Sequence, residues 1–416
     1  MPLDRKARRR WMLLLSAFGV LAVGFLWVSA TSEGDARGAG QPDAALDMRA
    51  QVAITSTALQ VQSLGGLRGE MAAQLARDWL DSRWPAGATG RSAILASLRS
   101  SDETIRWVAL LAVTRYGPGD VPLVDALLHC ARRSSGDVQA AAGAAFKDIA
   151  RPTDEALEAM RAACQEADVT TRVALLRAIG LLARDTMSRD FLLEFLGDSD
   201  PRTRVGAAYG LAALEALGEM PDNDGAVVRL TKALDDADPH VRACACRALQ
   251  RVGPLAAPAV ERLIELLGDE NRQVVRWATS AILGCGSEAV ASLRRGLTDE
   301  HPAPLRLVWL LRSIGTTQAQ ETLMQSLEHD DPFVRAEGAI ALHALGVDDA
   351  PVLAVLVGLL DSEDARLLTL VLHGLAIASD RAGASSHREA IAAMQRHPNR
   401  DVARAAAAAL ERLDGT

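Results

Sequence analysis

A chain of 416 residues, 49% hydrophobic and 24% charged, is long enough for two or three compact domains or for one elongated array. Only 4% of the residues are aromatic, and few segments are rich in Val, Ile, Thr or Tyr, which disfavours strands and favours helices packed through small side chains. The net charge is −8 even though MPLDRKARRR at the start is basic, so the rest of the chain is acidic and lacks the electrostatic footprint that draws proteins to nucleic acid.

Residues 1–10 read as a basic cytoplasmic lead. The run WMLLLSAFGVLAVGFLWVSA, Trp11 to Ala30, carries no charge and is long enough to cross a bilayer as one helix, with Trp11 and Trp27 near its two ends. Two readings are open: an uncleaved transmembrane anchor, or an export signal cleaved after the small residues of Val28-Ser29-Ala30. Arg8-Arg9-Arg10-Trp11-Met12 also bears a weak likeness to a twin-arginine signal. Each reading places the body outside the cytoplasm, periplasmic or extracellular. Residues 31–46, TSEGDARGAGQPDAAL, read as a tether. Residues 47–90 hold the helical run RGEMAAQLARDWLDSRW and read as a helical N-terminal cap.

From Arg91 the sequence repeats. Aligned on one arginine, the period returns at Arg106, Arg172, Arg204, Arg242, Arg276, Arg306, Arg335, Arg366 and Arg404, with Gln139 in the place between the first two. The spacing centres near 33 residues, so about ten units fit into residues 91–416. Two longer intervals contain EALGEMPDNDG at 215–225 and SDRAGASSHRE at 379–389, turn-rich insertions expected to bulge outward. Each unit reads as a helix, a tight turn, a second helix and a short link. In the second helix HVRACACRALQRVG, residues Val241, Ala245, Ala248, Leu249 and Val252 form one apolar stripe, and Gly253 with Pro254 ends the helix. Thr203, Ala207, Gly210, Leu211 and Leu214 hold the same places, as do Val334, Gly338, Ala341, Leu342 and Leu345. Small residues in mid-helix let neighbouring pairs stack closely and bury faces that no pair covers alone.

The turns read DSDPRTR at 198–204, DADPHVR at 236–242, GDENRQVVR at 268–276 and HDDPFVR at 329–335. Asp200, Asp238 and Asp331 suit helix N-caps, and Pro201, Pro239 and Pro332 suit the first helical position. These turns, each followed by an Ala-rich second helix, resemble HEAT repeats, in particular the short bacterial HEAT-like type also found in phycobilin lyase subunits. The resemblance covers about residues 91–413. With the hydrophobic N-terminal helix ahead of it, the expected fold class is all-α, a right-handed α-α superhelix or HEAT-like solenoid. The resemblance also implies that Arg204, Arg242, Arg276 and Arg335 bridge to acids on the adjacent unit as a ladder. Three units depart from the pattern: TDEHPAPLR has a second proline at Pro304, DSEDARLL lacks the proline and SSGDVQ lacks the arginine.

Reactive chemistry is sparse. Cys130, Cys164, Cys244, Cys246 and Cys285 have no framework spacing, and only His240 and Cys244 share a helical face, too few ligands for zinc. His129, His240, His301, His329, His343, His373, His387 and His397 form no H-x-x-x-H cluster, and no nucleophile elbow or phosphate loop appears. No catalytic residue, metal or cofactor is expected. Trp107 and Trp277 each follow a repeat arginine and are candidate partner contacts, although most units keep that place apolar for packing; Trp309, amid LRLVWLL, reads as core. The expected function is a non-enzymatic protein–protein interaction scaffold or assembly module whose concave face, lined by second helices, binds another protein. A HEAT-like lyase or lyase-associated subunit is one rival. A nucleic-acid-binding solenoid, which requires a basic concave face, is the other.

Overall fold

The unit around residues 224–252 shows why the chain pairs its helices. Asp224–Ala233 buries Ala226, Val227 and Leu230 on one side, the turn at 234–238 reverses the chain, and Pro239–Val252 lays Val241, Ala245, Ala248, Leu249 and Val252 into the same core, none more than 3% exposed. Gly253, at φ 69°, stops the second helix in a conformation that a side chain rarely adopts. The structure is a computed structural model and describes residues 42–64, 70–86, 90–215, 217–219, 224–298, 303–347, 349–378 and 388–415. The hydrophobic run 11–30 and its basic lead lie outside the described residues, as does most of the 379–389 insertion.

Among the described residues all regular structure is helical apart from one isolated bridge between Pro118 and Ala150. In chain order the α-helices are α1 Pro42–Ser63, α2 Glu70–Arg83, α3 Arg91–Leu98, α4 Glu103–Leu111, α5 Val121–Arg133, α6 Gly136–Ala145, α7 Asp154–Glu166, α8 Val169–Leu182, α9 Thr186–Glu194, α10 Pro201–Ala213, α11 Asp224–Ala233 and α12 Pro239–Val252. They continue as α13 Val260–Glu265, α14 Arg272–Cys285, α15 Val290–Gly296, α16 Pro304–Ile314, α17 Thr317–Ser326, α18 Pro332–Ala344, α19 Asp349–Gly358, α20 Ala365–Ala378, α21 Arg388–Met394 and α22 Arg400–Gly415. From α3 onward they alternate as first and second helices of successive pairs. No described helix is long and apolar enough to cross a membrane.

The chain divides into two compact units, one ending at Ala178 and the other starting at Ile179. In the first, α1 begins inside the segment expected to be a tether: residues 42–46 are already helical, because Pro42 suits a first turn and Ala50, Ile54, Ala58 and Val61 form a buried stripe that packs on α3 and α4. Tyr116 ties α3 to α5 there. Its hydroxyl donates to Asp120 Oδ1 at 2.8 Å, Arg91 lies 4.7 Å over its ring, and burial pushes its phenol up to about 12.

In the second unit the second helices form a continuous row: α10 packs on α12, then α14, α16, α18, α20 and α22 follow in turn. The stripe Thr203, Ala207, Gly210 and Leu211 is buried, as are Val334, Gly338, Ala341 and Leu342, with Leu345 half-buried. Close approach is literal at Gly180, where an added Cβ would sit 2.0 Å from the Gly210 carbonyl oxygen. The insertion at 215–225 does not simply bulge. Leu217, in its short 3₁₀ turn, is fully buried, because an apolar side chain inside a polar insertion gains more by packing than by hydration.

Candidate interaction surface

The repeated turn is built from backbone amides outward. Asp200, Asp238 and Asp331 each accept the amide two residues on, from Arg202, His240 and Phe333, at 2.8 Å, and Pro201, Pro239 and Pro332 occupy the first helical position. Loss of such a cap costs about 1 kcal/mol. A second acceptor stands two residues before each cap: Asp198, Asp236 and Asp269 take the amides of Asp200, Asp238 and Asn271, and His329 Nδ1 takes that of Asp331. In the units lacking the full phrase, Asp364 still caps through the Arg366 amide, whereas Ser135 makes no side-chain cap.

Four residues after the cap, the arginine closes the turn. Nη1 of Arg106, Arg204, Arg242 and Arg335 donates to two carbonyls of its own turn: Ser100 and Ser101, Asp198 and Ser199, Asp236 and Ala237, His329 and Asp330. The other guanidinium edge reaches the next unit. Arg204 donates to both oxygens of Asp236 at 2.6 and 3.1 Å, and Arg242 to both of Asp269 at 2.8 and 3.1 Å. The side chains of Asp236 and Asp269 are only 10% and 6% exposed. Burial alone would raise the Asp236 carboxyl, but the Arg204 hydrogen bonds and the Asp238 amide outweigh it and hold the group below its ordinary range.

The expected ladder is therefore shorter than the sequence spacing implies. Arg106 meets a hydroxyl, Ser134 Oγ at 3.0 Å, instead of a carboxylate, and the place that would face Arg335 is Ser362. Arg276 is out of register. It stands five residues after its cap, Asn271, whereas Arg242 stands four after Asp238, and Val275 takes the clamping place. One residue is about 100° of helix, so Arg276 turns away from the neighbouring turn and lies 5.6 Å over the Trp277 ring. Arg404 is displaced in the same way from Asn399 and pairs with Asp401 on its own helix.

Of the tryptophans, Trp309 departs from its expected place. Trp107 is 4% exposed and is a packing residue, not a partner contact, because its place on α4 faces the neighbouring helices. Trp277 is half-buried, with Arg247 of α12 lying 5.2 Å over its ring. Trp309, read as core, is 50% exposed. It lies midway between the fully buried Leu307 and Leu311, on the outward side of α16, one helical turn after Arg306.

Sequence reasoning missed the charge pattern around them. Helices α10, α12, α14 and α16 contain nine arginines and not one Asp or Glu. Arg202, Arg204 and Arg242 pair with turn acids, while Arg247, Arg251, Arg272, Arg276, Arg306 and Arg312 make no ion pair among the described residues. A count of charge helix by helix finds this signal; the net charge averages it away.

Residues 211–284 and 291–376 match the family model described as HEAT repeats. Across those residues the chain is built of HEAT repeats. Two solved structures of engineered proteins, both structural-genomics targets, are similar to it: one is 20% identical, covers 90% of this chain and 97% of its own, and has a TM-score of 0.41. The other is 20% identical, covers 62% and 96%, and has a TM-score of 0.29. No curated protein matches. HEAT-repeat solenoids are in general protein-interaction modules, and the fold is typically non-catalytic.

Cys130, Cys164, Cys246 and Cys285 are buried packing residues. Burial pushes the thiols of Cys164 and Cys246 up to about 12 and that of Cys285 to about 11, far from a reactive thiolate. His240 is exposed and Cys244 half-buried on the face they share, and no group of three metal-ligating side chains occurs among the described residues.

Proposed function

We propose that the protein is a non-enzymatic scaffold or assembly module that binds another protein along the second-helix row of residues 179–416. On this reading residues 11–30 carry the body out of the cytoplasm and hold it at the membrane as an anchor. The supporting observation is Trp309, half exposed one helical turn after Arg306 on a stretch of that row whose helices carry no acid. Tryptophan and arginine are the side chains that most often dominate binding energy at protein interfaces, and an isolated indole in water has no folding role to explain it. Anchoring would raise the effective concentration of the module near membrane-bound partners.

Two measurements test this reading. A photocrosslinking residue placed at 309 in the full chain is expected to trap a reproducible protein partner, whereas the same residue at Val228, 69% exposed on the first helix α11, is expected to trap none. Equal yields from both places would refute the row as the binding face. Membrane fractionation with protease shaving is expected to find the body accessible from outside; a body protected in intact cells would overturn the topology.

A further inference from the structure

We infer that the row from α12 to α16 takes an acidic segment of the partner, its carboxylates seated on Arg272, Arg276 and Arg306 and an apolar side chain laid against Trp309. The inference rests on the scaffold reading and names the chemistry of the partner. A cleft of about 580 Å³ opens where the turn before α14 meets the start of α16, and those three arginines line it with Val275 and Leu267. Among the described residues its one acid is Asp269, and that carboxylate already accepts from Nε and Nη2 of Arg242. Arg306 is steadied by a hydrogen bond from Nη1 to the Leu267 carbonyl, which leaves its other edge for a ligand.

The slipped register of Arg276 is what makes the surface. In the clamping place it would reach the adjacent turn; one position later it lines the cleft with Arg272 and Arg306, and Trp309 stands one helical turn after Arg306 on α16. Among the described residues Arg247, Arg251, Arg272, Arg276, Arg306 and Arg312 of this stretch lack a carboxylate partner. A guanidinium matches a carboxylate bidentately, and an apolar neighbour on the same segment would cover the indole. A phosphate backbone fits less well, because it needs a continuous basic track. Here Asp198, Asp200, Asp236 and Asp238 interrupt the row's edge.

The test uses the full chain in detergent and a fluorescein-labelled peptide of repeated Glu-Glu-Phe, read by anisotropy. Binding is expected, with a roughly tenfold loss when salt rises from about 0.05 to about 0.5 M. A Lys-Lys-Phe counterpart is expected not to bind. Arg272→Glu with Arg276→Glu should weaken binding at least roughly tenfold and Trp309→Ala roughly fivefold. Val228→Asp on α11 should leave it unchanged, and a circular dichroism melt confirms that each variant folds. Equal binding of the basic peptide, or no effect of the charge reversal, overturns the inference. Displacement of the peptide by a single-stranded oligonucleotide at equal or lower concentration overturns it in favour of a phosphate track. Crosslinks from 309 that persist while the acidic peptide fails to bind refute the acidic class alone; loss of both refutes the scaffold.

Discussion

The turns that precede α12 and α14 share one frame and put it to different uses. Both place an aspartate two residues before the cap, Asp236 and Asp269, and both use it to hold the cap's amide at 2.8 Å. In the first, Arg242 closes its own turn and grips the next one. In the second, the arginine arrives one residue late, Val275 fills the clamping place, and Arg276 faces outward over Trp277. A single residue of helical phase thus separates a structural rung from a surface cation. The same composition yields either, which is why a row of repeats can be uniform in fold and specific in what it binds.

The sharpest way to break the comparison is Arg242→Ala. It removes two bonds to turn carbonyls and leaves Asp269, 6% exposed, without its counter-ion, and equilibrium urea unfolding is expected to show a loss of about 3 kcal/mol. Next comes Asp236→Asn, expected to cost about 2 kcal/mol at neutral pH by weakening the Arg204 rung. Because the folded carboxyl titrates below its unfolded counterpart, this stabilisation is complete above about pH 4 and is lost as pH falls through the folded value. The gap between the parent chain and Asp236→Asn should therefore close on acidification; a constant gap would assign the effect to packing.

Thr203→Val works in the opposite direction. Thr203 is fully buried with no hydrogen-bond partner for its hydroxyl, in the place three after the cap that α12, α14 and α18 fill with Val241, Val274 and Val334. A gain of about 1 kcal/mol is expected in the same urea experiment. Thr171, in the equivalent place of α8, gives its hydroxyl to Asp168 Oδ2 at 2.7 Å, so Thr171→Val should lose stability instead. Smallest of all is Arg276→Ala, expected to move stability by no more than about 0.5 kcal/mol, since the guanidinium is exposed and clamps nothing. A loss as large as that of Arg242→Ala would show that Arg276 is a rung after all.

Much of the fold was legible because its determinants are local. The caps at Asp200, Asp238 and Asp331, the prolines after them, the stop at Gly253 and the stripe from Val241 to Val252 each depend on residues within about one helical turn or on a 3.6-residue period. The exposed Trp309 was hidden by its company. In LRLVWLL every neighbour is apolar, yet Leu307, Val308, Leu310 and Leu311 point to the core while Leu305, Trp309 and Arg312 form the outward stripe, and hydrophobicity alone does not separate two apolar faces of one helix. Trp107, 4% exposed, follows the packing reading of its place, which most units keep apolar, and not the partner-contact alternative.

The sequence by itself determined the helical pairs, the period of the turn and the identity of its cap, since these are written in short-range hydrogen bonding and backbone preference. Only the tertiary structure decided which arginine meets a carboxylate and which tryptophan meets water. Those outcomes depend on the rotational phase of each second helix against the next, and that phase is fixed by how whole faces pack.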